Sequence, residues 1–357
     1  LYFHTRVGEA WNAPSPVRDT HWGDFSLSGF AYDSVGRLHI AWCDHREGNP
    51  DIYFSLSADT GRTWSRNVRI NDDHTGQEQL DPSIAASPDG ALCILWADNR
   101  SPHTLFDIYS SNSSDGGTTW SRNKKVNDDS THTWQGSPHV IFDGKKFCSV
   151  WMDYRDVSTS GDARSSIYFS KSKGRGLTWS RNVRISENVS GNCGYPSLAR
   201  SRTDTLHSLW MDSEQNILND VSYAYSPDGG ESWSSPVRVN DDTARVQHYH
   251  RGIGWLGAGR DGQNIVGWID NRTGSSRVYM AAIQSFSDTA HQTRAALQND
   301  ARTSTPEAFV YSVQRVLLKD NFTTNPSSRW KVRSGTWVWN NRMFIGYGAP
   351  MACAFTG

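Results

Sequence analysis

Trp-x-Asp returns five times along the chain, as Trp42-Cys43-Asp44, Trp96-Ala97-Asp98, Trp151-Met152-Asp153, Trp210-Met211-Asp212 and Trp268-Ile269-Asp270, at spacings of 54, 55, 59 and 58 residues. A repeat of that length marks a unit that cannot bury its apolar faces alone and must stack on copies of itself. A second pattern follows the first four markers: Ser57-x-Asp59-x-Gly61-x-Thr63-Trp64, Ser113-x-Asp115-x-Gly117-x-Thr119-Trp120, Ser172-x-Gly174-x-Gly176-x-Thr178-Trp179 and Ser226-x-Asp228-x-Gly230-x-Ser232-Trp233. The third copy carries Gly174 where the others carry Asp. Between the markers, runs such as Leu38-His39-Ile40-Ala41-Trp42 and Asp51-Ile52-Tyr53-Phe54-Ser55 alternate as strands do. Four short strands per unit, with 30 Gly and 13 Pro to turn the chain between them, predict an all-β fold of radially packed sheets, a β-propeller.

Charge and hydropathy exclude other classes. The chain balances 36 basic against 37 acidic residues, so nothing in its net charge recruits nucleic acid. Mean hydropathy is -0.64, and no apolar run approaches the ~20 residues that cross a bilayer, so membrane insertion is not expected. Five Cys without a C-x-x-C pair predict buried thiols with one bridge at most, rather than a zinc ribbon or a disulfide framework. The first residues, beginning at Leu1, carry no signal-peptide pattern, so a leader is expected to lie outside the sequence or to have been removed.

The Ser-x-Asp-x-Gly-x-Thr-Trp pattern, in register with Trp-x-Asp, closely resembles the Asp box of the sialidase (neuraminidase) superfamily, also called the BNR repeat. The resemblance covers residues 1–286 and implies a propeller of six four-stranded blades. Five fuller blades fall at 20–74, 75–130, 131–190, 191–243 and 244–286. His4 to Trp11 reads as a degenerate box between strands at Tyr2 to Thr5 and Pro16 to Arg18, the outer half of an incomplete first blade. Residues 287–318 read as a linker or closing segment. Residues 319–357, with Trp330-Lys331-Val332 and Trp337-Val338-Trp339, resemble the entry strands of a laminin-G or concanavalin-like jelly roll, the start of a second β domain.

In a repeat, what recurs in every blade is scaffold, and what interrupts the pattern is a candidate for chemistry. Asp44, Asp98, Asp153, Asp212 and Asp270 recur, as do Arg46, Arg100, Arg155 and Arg272 two positions on, and read as structural pairs. The Asn-Asp-Asp turns at Asp72-Asp73, Asp128-Asp129 and Asp241-Asp242 read as caps; their oxygens could hold a structural calcium but form no diagnostic loop. No cofactor or catalytic metal is implied. Counting back from each Trp brings Leu27, Asp81, Ser137, Tyr195 and Ile253 to one level at the entry of the inner strand. Asp81 and Tyr195 stand out there, and Glu214 replaces the Arg expected after Asp212.

The sialidase resemblance gives these residue types roles. A guanidinium fork binds the substrate carboxylate, and a neutral Tyr with a Glu to take its proton replaces an anionic nucleophile that the carboxylate would repel. An Asp then protonates the leaving oxygen. On that pattern Arg251 is the carboxylate clamp, Tyr195 with Glu214 the nucleophile pair, and Asp81 or Asp24 the acid. His248, Tyr249, His250, His21, Trp22, Gln79 and Trp134 are the accompanying substrate-binding candidates. The Arg-Ile-Pro motif that opens many sialidases is absent.

The leading expectation is a secreted carbohydrate-active enzyme, extracellular or periplasmic and monomeric, acting as a sialidase-type exo-glycosidase on terminal acidic sugars. Two others stay open. A polysaccharide lyase would use the cluster His248 to Arg251 on a uronate and its neighbouring proton. A non-catalytic lectin would stack Trp22 and Trp134 on sugar faces. In all three the partner is a glycan or polysaccharide, with no nucleic acid.

Overall fold

A computed structural model describes residues 1–4, 6–7, 10–11, 13–19, 25–101, 105–157, 163–187, 191–214, 217–240, 255–258, 263–270, 277–284 and 313–320, with short strands at 331–332, 337–340, 343–346 and 353–354. Among the described residues every regular element is a strand.

The chain begins with two small antiparallel pairs, β1 (Tyr2–Phe3) with β4 (Ser15–Pro16) and β2 (Arg6–Val7) with β3 (Ala10–Trp11). Five larger sheets follow in chain order. The first comprises β5 (Phe25–Tyr32), β6 (Leu38–Asp44), β7 (Asp51–Ser57) and β8 (Val68–Arg69). The second comprises β9 (Gln79–Ala86), β10 (Leu92–Asp98), β11 (Asp107–Ser113) and β12 (Lys124–Lys125). The third has β13 (Gln135–Phe142), β14 (Phe147–Val157), β15 (Ala163–Lys173), β16 (Thr178–Trp179) and β17 (Val183–Arg184). The fourth has β18 (Asn192–Arg200), β19 (Leu206–Glu214), β20 (Ile217–Ser226) and β21 (Val237–Arg238). The fifth has β22 (Trp255–Ala258), β23 (Gln263–Asp270), β24 (Arg277–Gln284) and β25 (Val313–Asp320). Each is an antiparallel meander, the arrangement that two-residue side-chain alternation and tight turns favour.

The outer strand of the fifth sheet is β25, so this sheet draws on residues after 286, from Val313 to Asp320. Beyond it, β26 (Lys331–Val332) pairs with β29 (Cys353–Ala354), and β27 (Trp337–Asn340) with β28 (Met343–Gly346).

First strands of successive sheets lie side by side, β5 on β9, β9 on β13, β13 on β18 and β18 on β22, so they form the inner wall. Gly29 is required there: a Cβ on it would stand 2.9 Å from the backbone N of Ile84 on the next inner strand. The core lies between sheets. One apolar cluster joins Ile52 and Phe54 of the first sheet to Ile94 and Trp96 of the second, and another joins Leu95 and Ile108 to Val140 and Trp151 of the third. The same face-to-face packing continues from Phe169 to Trp210 and from Tyr223 to Trp268. Trp42, Trp96, Trp151, Trp210 and Trp268 are all buried, one per sheet, which explains why the markers recur. Phe3 and Val17 cover the outer face of the first sheet. Cys43, Cys93, Cys148 and Cys193 are buried thiols without a bridge.

The second repeated motif closes the turn after each third strand. In its first copy Ser57 Oγ donates to Asp59 Oδ1 at 2.8 Å and accepts from Gly61 N at 2.8 Å, while Thr63 N donates to Asp59 at 2.9 Å. The second copy repeats these bonds at Ser113, Asp115, Gly117 and Thr119. Thr63 and Thr119 hydroxyls and amides hold the carboxyls of Asp59 and Asp115 down at about 2. The box Trp then plugs the gap to the preceding sheet: Trp120 packs edge-on to Phe54 at 5.0 Å and Trp233 to Phe169 at 5.2 Å. In the third copy Ser110 stands where those Phe side chains do; Trp179 Nε1 donates to it at 3.0 Å, and β16 adds a backbone pairing, Ser172 with Trp179, absent from the other copies.

Candidate functional site at the entry of the inner strands

The end of the propeller opposite the boxes is built first from repeated clamps. Trp42, Trp96 and Trp151 donate their indole N–H to Asp44, Asp98 and Asp153 at 2.8, 2.7 and 2.9 Å. Each Asp also accepts a guanidinium, from Arg46, Arg100 and Arg155, all at 2.7 Å. The same arginines reach back to the preceding turn, at Asp19, Asp72 and Asp128, and stack over Tyr53, Tyr109 and Tyr168. Burial alone would raise the Asp44 carboxyl, but Arg46, Trp42 and Arg18 outweigh it and hold it below the usual range. These arginines are committed to blade-to-blade ties.

Gln79, expected to bind substrate, belongs to this scaffold instead. It is fully buried, accepts from Asn71 Nδ2 at 2.9 Å and donates to Asp73 and Asp98 at 3.4 Å, so no sugar can reach it. Gln135 occupies the same place in the third sheet, between Asp129, Thr133 and Asp153. Asp73 accepts from Asn71, Thr75 and Gln79, so the Asn-Asp-Asp turn spends its oxygens on protein donors. Among the described residues no group of three or more His, Cys, Asp or Glu could hold a metal ion.

One level further along, the inner strands break pattern together. In β9, β13 and β18 two residues oppose one on the neighbouring strand, and the paired residues are Asp81-Pro82 opposite Trp96, Ser137-Pro138 opposite Trp151 and Tyr195-Pro196 opposite Trp210. These bulges fit an edge strand, where Pro has no ladder bond to lose. Asp81, Ser137 and Tyr195 have φ of 55°, 50° and 51°, the left-handed region that non-glycine residues seldom occupy. The register also shifts at Leu27 in β5, without a proline. Each left-handed residue is half-buried at the mouth of the inner wall.

Side chains tie these strands to one another. Ser137 Oγ donates to Asp81 Oδ2 at 3.3 Å, Ser83 Oγ accepts from Val140 N at 3.0 Å, and His139 Nδ1 accepts from Leu198 N at 3.1 Å. Tyr195 rests on the apolar cluster of Leu209, Met211 and Tyr223. Trp134, just before β13, is half-buried against Tyr154 at 5.9 Å and Phe106 at 6.4 Å between ring centres.

In the fourth sheet the clamp changes. Trp210 Nε1 has no hydrogen bond, the Cys193 thiol lies beside it, and Asp212 accepts from Ser222 Oγ at 3.2 Å. Asp212 is partly exposed where Asp44, Asp98 and Asp153 are sealed. Glu214, at the end of β19, pairs with Ile217 in the register that follows. The structure thus brings Asp81, Tyr195 and Trp134 to one end of the wall, with Glu214 on the same end of the fourth sheet. Asp24, His21, Trp22, His248, Tyr249, His250 and Arg251 lie outside the described residues. Sequence reasoning brought Ser137 to this level without nominating it, and passed over Phe106 and Tyr154. The signal for Ser137 was present in the X-Pro dipeptides shared by three inner strands.

Residues 5–208 match the BNR repeat-like domain family. Among curated proteins no relative matches the sequence. Similar solved structures include a Dyadobacter fermentans protein of unknown function, at TM-score 0.55 and 12% identity over 74% of this chain and 80% of that one. The α-L-arabinanase of Penicillium chrysogenum, solved with arabinobiose, matches at 0.53 and 15% over 73% and 81%. The NanB sialidase of Streptococcus pneumoniae matches at 0.52 and 12% over 78% and 63%. At such identities these likenesses establish the fold, an all-β, sialidase-like propeller, and leave the substrate open. With 204 of 357 residues inside the family match, from 5 to 208, the chain belongs to the BNR repeat-like domain family.

Proposed function

We propose that this chain is a glycoside hydrolase that cleaves a terminal sugar from a glycan at the mouth formed by the inner-strand bulges. The observation that carries the reading is the level shared by Asp81, Ser137 and Tyr195. The backbone there is equally strained in three blades while the side chains differ, which is where a repeat can place chemistry without losing its scaffold. Support for a carbohydrate substrate comes from the fold shared with NanB sialidase and with an arabinanase solved with arabinobiose.

In its sialidase form, the Tyr195 oxygen attacks the anomeric carbon as Glu214 takes the phenolic proton, and Asp81 protonates the departing oxygen. Water then cleaves the tyrosyl–sugar bond with Asp81 as base. Arg251 would clamp a substrate carboxylate, and the protein would work outside the cytoplasm. A second reading, a hydrolase of neutral sugars, is favoured by one observation: Arg46, Arg100 and Arg155 are all engaged by scaffold carboxylates and are not gathered at Tyr195.

A panel of 3′-sialyllactose, arabino-oligosaccharides and uronate polysaccharides separates the readings. Release of free sialic acid supports the sialidase form, and release of arabinose the neutral one. An unsaturated product absorbing in the ultraviolet would replace both with a lyase, and binding without turnover of any member would replace them with a lectin.

A further inference from the structure

Next to the Asp81–Ser137 pair lies an apolar surface that the cleavage chemistry does not use. Phe106 precedes the second sheet's third strand, Trp134 precedes the third sheet's first strand, and Tyr154 lies within that sheet's second strand. Gln135 N donates to Phe106 O at 3.0 Å and Tyr154 N to Trp134 O at 3.0 Å, so backbone bonds lock the three aromatic positions together across two blades. The rings meet edge to face, at 63° and 75°, and each is only partly buried. Leu105 beside them is 48% exposed.

Gly136 makes the surface continuous with the carboxylate. A Cβ there would come within 2.2 Å of the Trp134 ring, so the absent side chain lets the indole lie down over the inner strand. The next residue is Ser137, whose hydroxyl holds Asp81 Oδ2 at 3.3 Å. Three residues of chain therefore lead from the half-buried indole of Trp134 to Ser137, the residue that bonds the Asp81 carboxylate on the neighbouring inner strand. Gly194 repeats the device on the next strand, where a Cβ would meet Met152 Sδ at 3.0 Å just before Tyr195.

We infer that Phe106, Trp134 and Tyr154 form a stacking subsite for the sugar on the leaving-group side of the cleaved bond. A pyranose ring offers an apolar C–H face that packs on an aromatic ring while its hydroxyl edge stays in water. The oxygen that Asp81 would protonate belongs to that ring, so the shelf and the acid must be neighbours. Ser137 is a positioning residue: its hydroxyl donates to Asp81 Oδ2 at 3.3 Å and so fixes the carboxyl beside the shelf. The inference rests on the hydrolase reading for the direction of the bond but not for the presence of a sugar site.

Two measurements keep these apart. Saturation-transfer NMR with free lactose probes the shelf without catalysis. Lactose is expected to bind the wild type and Trp134→Phe, and to bind Trp134→Ala and Tyr154→Ala at least fivefold more weakly; absent binding, or equal binding by all four proteins, overturns the subsite. Turnover of 3′-sialyllactose against sialyl fluoride, whose leaving group has no ring and needs no proton, then tests which side of the bond the shelf serves. Trp134→Ala should lower the ratio of the two kcat/KM values at least tenfold, and an unchanged ratio would move the shelf to the other side. Should the wild type cleave neither, the sialidase form fails and with it the leaving-group assignment, while the lactose titration still decides the sugar site.

Discussion

Left-handed backbone at Asp81, Ser137 and Tyr195 costs about 1–2 kcal/mol per residue, because Cβ crowds the following carbonyl. Glycine would avoid that cost, yet none of the three inner strands uses it. Ser137 allows the clearest test, since its side chain is small. Ser137→Gly and Ser137→Ala both lose the bond to Asp81, but only the glycine relieves the backbone. Thermal or urea unfolding should find the glycine variant more stable by about 1 kcal/mol; equal stabilities would remove the strain. Buried histidines give a second residue-scale test. His207 is 1% exposed beside the Tyr223 hydroxyl at 2.6 Å, and burial pushes it down to about 4 from an ordinary 6.5. Between those values the unfolded chain takes up a proton that the folded one refuses. Stability is therefore complete above pH 6.5 and falls, on the order of 3 kcal/mol for this group, as pH drops to 4. Asp59 and Asp115 extend the loss toward pH 2, because their carboxyls must be protonated against the hydroxyls and amides that hold them. Unfolding midpoints should hold level from pH 8 to about 6.5 and decline from there to pH 3.

At the scale of single strands and turns, each blade follows one plan with local substitutions that answer one another. Where the third box lacks its Asp, a strand pairing closes the turn, and where Ser110 replaces a packing Phe, the box Trp bonds to it. The Trp-to-Asp clamp is present in the first three sheets and altered in the fourth. Trp96→Phe strips the bond from a fully buried Asp98 and should cost about 1–3 kcal/mol beyond the lost ring volume. Trp210→Phe loses no such bond and should cost less; equal losses in chemical denaturation would mean the clamps contribute nothing. Asp115→Ala should lower the melting temperature by freeing the second box turn. Much of this was legible in the sequence, because tryptophan spacing and strand alternation report burial directly. Gln79 was not: its amide is spent on Asp73 and Asp98, partners 6 and 19 residues away, and a polar residue near a strand entry reads alike whether buried or wet. The outer strand of the fifth sheet escaped as well, because Val313–Asp320 pairs across a long interval without a marker of its own.

For the whole molecule, stacked sheets separate two duties. Apolar clusters between neighbouring sheets carry the fold, and the inner wall's open end is left to vary. That division explains why the family and the architecture could be read from periodicity, while the site had to be sought in departures from it, some on residues outside the described set. It also predicts opposite outcomes for two chemically identical substitutions. Asp98 recurs in every blade and ties Trp96, Arg100 and Gln79, whereas Asp81 occurs once, beside Ser137. The decisive measurement is kcat and melting temperature, side by side, for Asp81→Asn and Asp98→Asn on the substrate that the glycan panel identifies. Asp81→Asn should lose at least a hundredfold in kcat with an unchanged melting temperature, and Asp98→Asn should melt earlier while its folded fraction keeps turning over. Full activity in Asp81→Asn would contradict the placement of chemistry at the interrupted level.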